Sequence, residues 1–175
     1  MAKRKKKIGL PPGSIIFTGN QKVEKVLLHY LRYDSEVFKE DTFDNHSELI
    51  LANDDESIVD WYDIRGLHDT GLIEALGKQF QVHPLILEDI ADTHQRPKYE
   101  EYPKGVFLIV HAIRFDAEKV EISKEQVGIY FRKGLILSFQ ESDTDLFEPV
   151  RKRVQMGRGR IRQRGADYLL SLIHI

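Results

Sequence analysis

The chain has 175 residues, 41% of them hydrophobic and 10% aromatic, enough for one domain with a buried core and too apolar for a disordered one. It contains no cysteine, which excludes a disulfide framework and a thiolate zinc site. The net charge of −2 conceals an uneven distribution: residues 3–7 carry five basic side chains and residues 151–175 carry seven, and the stretch between holds 14 basic against 27 acidic side chains, an acidic body that attracts cations and repels nucleic acid.

Residues 1–13 read as a basic, proline- and glycine-containing arm. The run Lys3–Lys7 is followed by Ile8-Gly9-Leu10-Pro11-Pro12 instead of an apolar core, so the arm is not a signal peptide. Ser14–Phe17 has the pattern of a short apolar strand. Lys25–Tyr33 and Val37–Phe43 alternate as partly buried strands do and are natural partners. Leu49–Leu51 opens either a strand or a helical turn, and Asn53-Asp54-Asp55-Glu56 reads as a polar turn. Ile58–Ile64 is rich in β-formers and is closed by Arg65-Gly66, as a strand would be. Asp69 or Thr70 caps the next helix, whose apolar face is Leu72, Ile73, Leu76 and Phe80.

The most informative segment is His83–Lys98. Pro84 suits the first turn of a helix, where its missing N–H costs nothing. At roughly 100° per residue, Ile86, Leu87, Ile90 and Ala91 share one side of that helix, and Glu88, Asp89 and Asp92 fall together on the other. Three carboxylates on one edge are either a solvated face or a site for a hard cation, since oxygen ligands suit Mg²⁺ and Ca²⁺. Arg96-Pro97-Lys98 then enforces an extended exit, because the residue before proline avoids the helical region.

Tyr99–Pro103 reads as a polar and aromatic connection, and Gly105–Ile113 as a central strand buried on both faces. Its Val106–Val110 core is the longest apolar run, five residues against the roughly 20 that a membrane-spanning helix needs. Gln126–Phe131 and Leu135–Phe139, joined by Arg132-Lys133-Gly134, form a hairpin pattern. Asp145 can cap a helix with Glu148 and Pro149 in its first turn. Gly157 and Gly159 interrupt the pattern, and Ile161, Tyr168, Leu169 and Leu172 resume a helical stripe to Ile175. A periodic helix with no stop signal at its end points to a truncated chain. The fold class is therefore mixed α/β (α+β), a mixed sheet flanked by helices. Its parts are the arm at 1–13, an α/β body at 14–143 and C-terminal helices at 144–175.

Two ordered blocks of residues carry a family resemblance. The first is His83-Pro84-Leu85, Leu87-Glu88-Asp89-Ile90 and His94-Gln95-Arg96-Pro97-Lys98. The second is Pro149-Val150-Arg151-x-Arg153 through Gly159, then Ile161-Arg162 and Ala166-Asp167-Tyr168-Leu169-Leu170. Together they resemble the cytosolic domain of the CorA-type magnesium transporters and cover most of residues 58–175. The resemblance implies a soluble domain on the cytoplasmic face of a membrane, leading into a long stalk helix. Two membrane spans and a Gly-Met-Asn signature would follow, and neither lies in this chain. It further implies a pentamer of identical subunits in which Mg²⁺, held between neighbours, keeps the pore closed, with Co²⁺ as a further ion of the family. Residue by residue, Asp89 carries over as the principal cation ligand with Glu88 beside it. Asp92 is added from helical geometry alone. His174 stands where the family commonly has an acid.

The chain lacks the patterns of catalysis. There is no Gly-x-Ser-x-Gly elbow and no phosphate-cradling loop before a helix, and Gly157-x-Gly159 follows a helix instead of a strand. A non-enzyme is expected. The competing class is a free-standing nucleic-acid or anion-binding module using the basic arm and Arg158, Arg160, Arg162 and Arg164, taken as one arginine-rich helix.

Overall fold

The computed structural model describes residues 9–43, 55, 57–117 and 120–173. The expectations for Lys3–Lys7, for Leu49–Leu51, for most of the acidic turn at 53–56 and for His174 and Ile175 lie outside the described residues. In chain order the strands are β1 (Leu27–Tyr33), β2 (Phe38–Phe43), β3 (Val59–Arg65), β4 (Lys98–Tyr102), β5 (Gly105–Asp116), β6 (Glu121–Arg132) and β7 (Leu135–Gln140). The helices are α1 (Thr70–Phe80), α2 (Pro84–Ala91), α3 (Glu148–Gln155) and α4 (Ala166–Ile173), with a short 3₁₀ turn at Ile161–Gln163.

The strands form one sheet in the order β2-β1-β3-β7-β6-β5-β4. Every neighbouring pair is antiparallel except β3 and β7, which run parallel with Tyr62 opposite Leu137. Alternation along each strand sends side chains to two faces. On one face Leu28, Tyr30, Tyr62, Ile64, Leu137 and Phe139 meet α1 and α2. On the other, Leu31, Tyr33, Trp61, Ile129 and Ile136 meet α3, the 3₁₀ turn and α4. The result is three layers with an apolar core on each side of the sheet.

Because β3 is covered on both faces, all seven of its residues are buried, including two aspartates. Buried carboxylates require partners. Asp60 takes a fork from Arg32 at 2.7 and 2.9 Å and a hydroxyl bond from Tyr30 at 2.7 Å. Asp63 is bound by Arg65 at 2.9 Å, by Arg151 of α3 at 3.2 Å and by the Ser138 hydroxyl at 2.8 Å.

Four expectations are corrected. Ser14–Phe17 is not a strand but a strap whose Ile15 and Phe17 pack against the α1/α2 core. Tyr99–Pro103 is not a connection, since Lys98–Tyr102 is the edge strand β4. β5 is neither central nor buried on both faces. β4 covers it only from Gly105 to Ile109, and β7 covers β6 only from Val127 to Arg132. Beyond these limits β5 and β6 continue as a two-stranded ribbon on which Ile113 is 70% exposed. Finally, Asp145 does not cap α3. Phe147 occupies that position, while Asp145 bonds Arg65 and Arg151 because their guanidiniums are better partners than a single amide.

Candidate functional site

The carboxylate helix forms as its residues dictate. His83 is the N-cap and its Nδ1 accepts the Leu85 amide at 3.3 Å, while Pro84 takes the first turn. Ile86, Leu87, Ile90 and Ala91 are buried against α1 and the sheet. Fully burying an isoleucine or leucine side chain contributes about 1.5–3 kcal/mol, and Ile86, Leu87 and Ile90 together anchor an eight-residue helix too short to persist alone. Glu88, Asp89 and Asp92 are left at the boundary with solvent, partly exposed.

The structure gives each carboxylate a different neighbour. Glu88 Oε2 accepts the backbone N–H of Gly13 at 2.8 Å, which ties the N-terminal strap across α2. Asp89 Oδ2 lies 2.6 Å from the Lys98 ammonium, which also donates to Glu100 at 2.9 Å. Asp92 ends the helix. Its Oδ1 accepts the Thr18 hydroxyl at 2.8 Å and the His94 amide at 3.3 Å, and its Oδ2 accepts from the Gln95 side chain at 3.2 Å. The following turn is clamped to β6, where Gln126 accepts the Gln95 amide and donates to the Asp92 carbonyl, both at 2.9 Å.

Electrostatics follow from this packing. Burial raises the Asp89 carboxyl above the ordinary aspartate range, against the pull of Lys98. Burial also opposes the charge on Lys98, but Asp89 and Glu100 together outweigh it and raise the ammonium. The Lys98 contact lowers Glu100.

Glu88 and Asp89 are adjacent on the exposed edge of α2, whereas Asp92 is turned into the Thr18–Gln95 network. Among the described residues, no three histidine, aspartate or glutamate side chains converge as a metal-ion group. Oxygen donors of the right kind are therefore present on one edge, and among the described residues a closed coordination shell is not. Sequence reasoning missed the contacts of Lys98 and Glu100, placing the first in an extended exit and the second in a connection. The Lys98-x-Glu100 spacing of a strand, which puts both side chains on one face, was the available signal. It also missed the strap at 13–18.

The arginine-rich helix does not exist. Arg158 and Arg160 lie in a glycine turn with Gly157 and Gly159 at φ +60° and +72°, and Arg162 lies in the 3₁₀ turn. Arg162 caps α3, donating to the carbonyls of Val154 at 2.8 Å and Gln155 at 2.6 Å. Two glycines in the left-handed region break the helical path between these arginines.

Comparison with known proteins gives concordant matches. A family model described as CorA-like Mg²⁺ transporter protein matches residues 56–174. The chain is 41% identical over 169 residues to the cobalt/magnesium transport protein CorA of Thermotoga maritima, covering 95% of this chain and 47% of that protein. The chain thus spans about half the length of this relative. Among solved structures, the complete CorA magnesium transporter of Methanocaldococcus jannaschii superposes with a TM-score of 0.59 at 20% identity, over 86% of this chain and 43% of that one. The soluble domain of the same organism's CorA gives 0.53 at 19% identity, over 75% and 48%. These structural matches bear out the mixed sheet flanked by helices. No helix among the described residues is long and apolar enough to cross a membrane.

Proposed function

Because the chain belongs to the CorA-like Mg²⁺ transporter protein family, we propose that it is the divalent-cation-sensing, cytosolic part of a Mg²⁺ (and Co²⁺) transport protein. Asp89 is its principal ligand, Glu88 stands beside it, and Asp92 buttresses the edge. Identical subunits, five in a ring, each bring this acidic edge to a neighbour. A divalent ion between them holds the ring in the state that closes a pore built from segments outside this chain. The observation that carries the reading is the Asp89–Lys98 contact. The Lys98 ammonium 2.6 Å from the Asp89 carboxylate is a monovalent place-holder that also donates to Glu100 at 2.9 Å, so a divalent ion that takes the Asp89 oxygen leaves it one of its two present partners.

The physical logic is linkage. An ion that binds the closed arrangement better than the open one shifts the population toward closure by its differential affinity alone. A shell completed by a neighbouring subunit has that property, because the described residues of one chain supply too few converging oxygens by themselves. The 175-residue chain alone is accordingly expected to bind Mg²⁺ no tighter than millimolar. The decisive experiment uses a protein that carries the membrane spans as well as this domain. Asp89→Asn should reduce the inhibition of ion flux by cytosolic Mg²⁺ at least tenfold in midpoint concentration. Inhibition with an unchanged midpoint would sink the assignment.

A further inference from the structure

A cavity of about 790 Å³ opens between the N-terminal strap, the end of α1, the start of α2 and the β4–β5 turn. Its size falls within the roughly 300–1,000 Å³ of small-molecule sites. Ile15, Val82, Pro84 and Leu87 line it with apolar surface, and Val82 and Leu87 are themselves buried. The rings of His83 and Tyr102, with centroids 5.1 Å apart, form one wall.

The charged groups of the cavity are two lysines and one acid, Lys78, Lys104 and Glu74. Lys78 is spoken for by Glu74 at 2.8 Å. Lys104 donates to the neutral side-chain oxygen of Gln81, and its ammonium has no carboxylate partner among the described residues. On a body with a large excess of acids, this is an apolar cavity with an uncompensated positive charge at its rim. We propose that the cavity is a binding site for a small amphipathic anion, a flat or aliphatic apolar body bearing one carboxylate, sulfonate or phosphate. The body displaces water from Ile15, Val82, Pro84 and Leu87, and the anionic group pairs with Lys104 and draws on Lys78. A neutral ligand of the same shape gains only the first of these, and a cation would be repelled. Glu88, Asp89 and Asp92 do not line the cavity, and its test does not depend on the metal reading.

The test uses the 175-residue chain and a matched pair of probes. One is 8-anilinonaphthalene-1-sulfonate, and the other is N-phenyl-1-naphthylamine, the same ring system without the sulfonate. Titration followed by fluorescence should show saturable one-to-one binding of the sulfonate, at least tenfold tighter than the neutral amine. Amide shifts should cluster at Gly13, Gly77, Val82 and Lys104. The double substitution Lys78→Glu/Lys104→Glu, on two exposed side chains, should weaken the sulfonate at least tenfold and leave the amine unchanged. Equal affinities for the two probes on the native chain would overturn the anion assignment whether or not the variant folds. So would shifts centred on Ile113, Phe115 and Ile122 of the ribbon, or no saturation by millimolar probe.

Discussion

Replacing Gly77 by alanine tests how α2, and with it the acidic edge, is set against α1. An alanine Cβ at this position would stand 2.2 Å from Leu87 Cδ1 and 3.0 Å from Cδ2, against the 3.5–4.0 Å of an ordinary carbon contact. Leu87 is 5% exposed but lines the neighbouring cavity, so the overlap of more than 1 Å is relieved either by turning the Leu87 side chain into that space, off its present rotamer, or by pushing α2 outward. Overpacking of this kind costs about 1–3 kcal/mol. Helix propensity acts in the opposite sense, since alanine is better than glycine in a helix by about 0.8–1 kcal/mol. The net expectation is a loss of about 1 kcal/mol, or about 2–4 °C in Tm for a chain of this length. Leu87→Ala alone should cost about 2 kcal/mol, the low end for such truncations because the site borders a cavity. In the double variant the alanine methyl occupies space that leucine has vacated. The combined loss should then fall at least 1 kcal/mol short of the sum of the single losses. Urea unfolding of the four proteins measures this cycle directly. A stabilised Gly77→Ala protein, or losses that add to within about 0.5 kcal/mol, would refute the close approach of the two helices.

Arg151→Met should cost about 3 kcal/mol, because it strips one of the two guanidiniums from the fully buried Asp63 while leaving the charge in place. A loss below 1 kcal/mol in the same unfolding assay would show that Arg65 and Ser138 suffice. The Asp145 carboxyl is opposed by partial burial but held below the ordinary aspartate range by Arg151 and Arg65. A depressed folded-state value contributes stability that is present above the unfolded value, near pH 4, and is lost as pH falls through the folded one. Asp145→Asn should therefore flatten the stability–pH curve below about pH 4, and a curve parallel to the native one would remove Asp145 from acid unfolding.

Local chemistry alone determined much of this protein. The Asp69 cap, the Pro84 start, the 3.6-residue apolar stripe of α2, the alternation in β1 and β2 and the β-forming composition of β3 each act over a few residues, and each produced the expected element. The adjacency of Glu88 and Asp89 on an exposed helix edge was legible for the same reason. Tertiary structure alone decided what those carboxylates touch. Gly13 reaches Glu88 across 75 positions and Thr18 reaches Asp92 across 74, distances over which no sequence period operates. It also decided that Lys98 and Glu100 belong to an edge strand, because β4 exists only by pairing with β5. The apolar run of β5 misled for a related reason: hydrophobicity reports that a segment seeks cover, and only the lengths of its neighbours decide how much it receives. At 157–164 the two glycines were visible as a break, but the place of Arg162 depended on α3 offering its free carbonyls. Side-chain partners far apart in the chain are selected by the packing of layers, and that selection is what converts an acidic helix into a candidate cation edge with a lysine already in attendance.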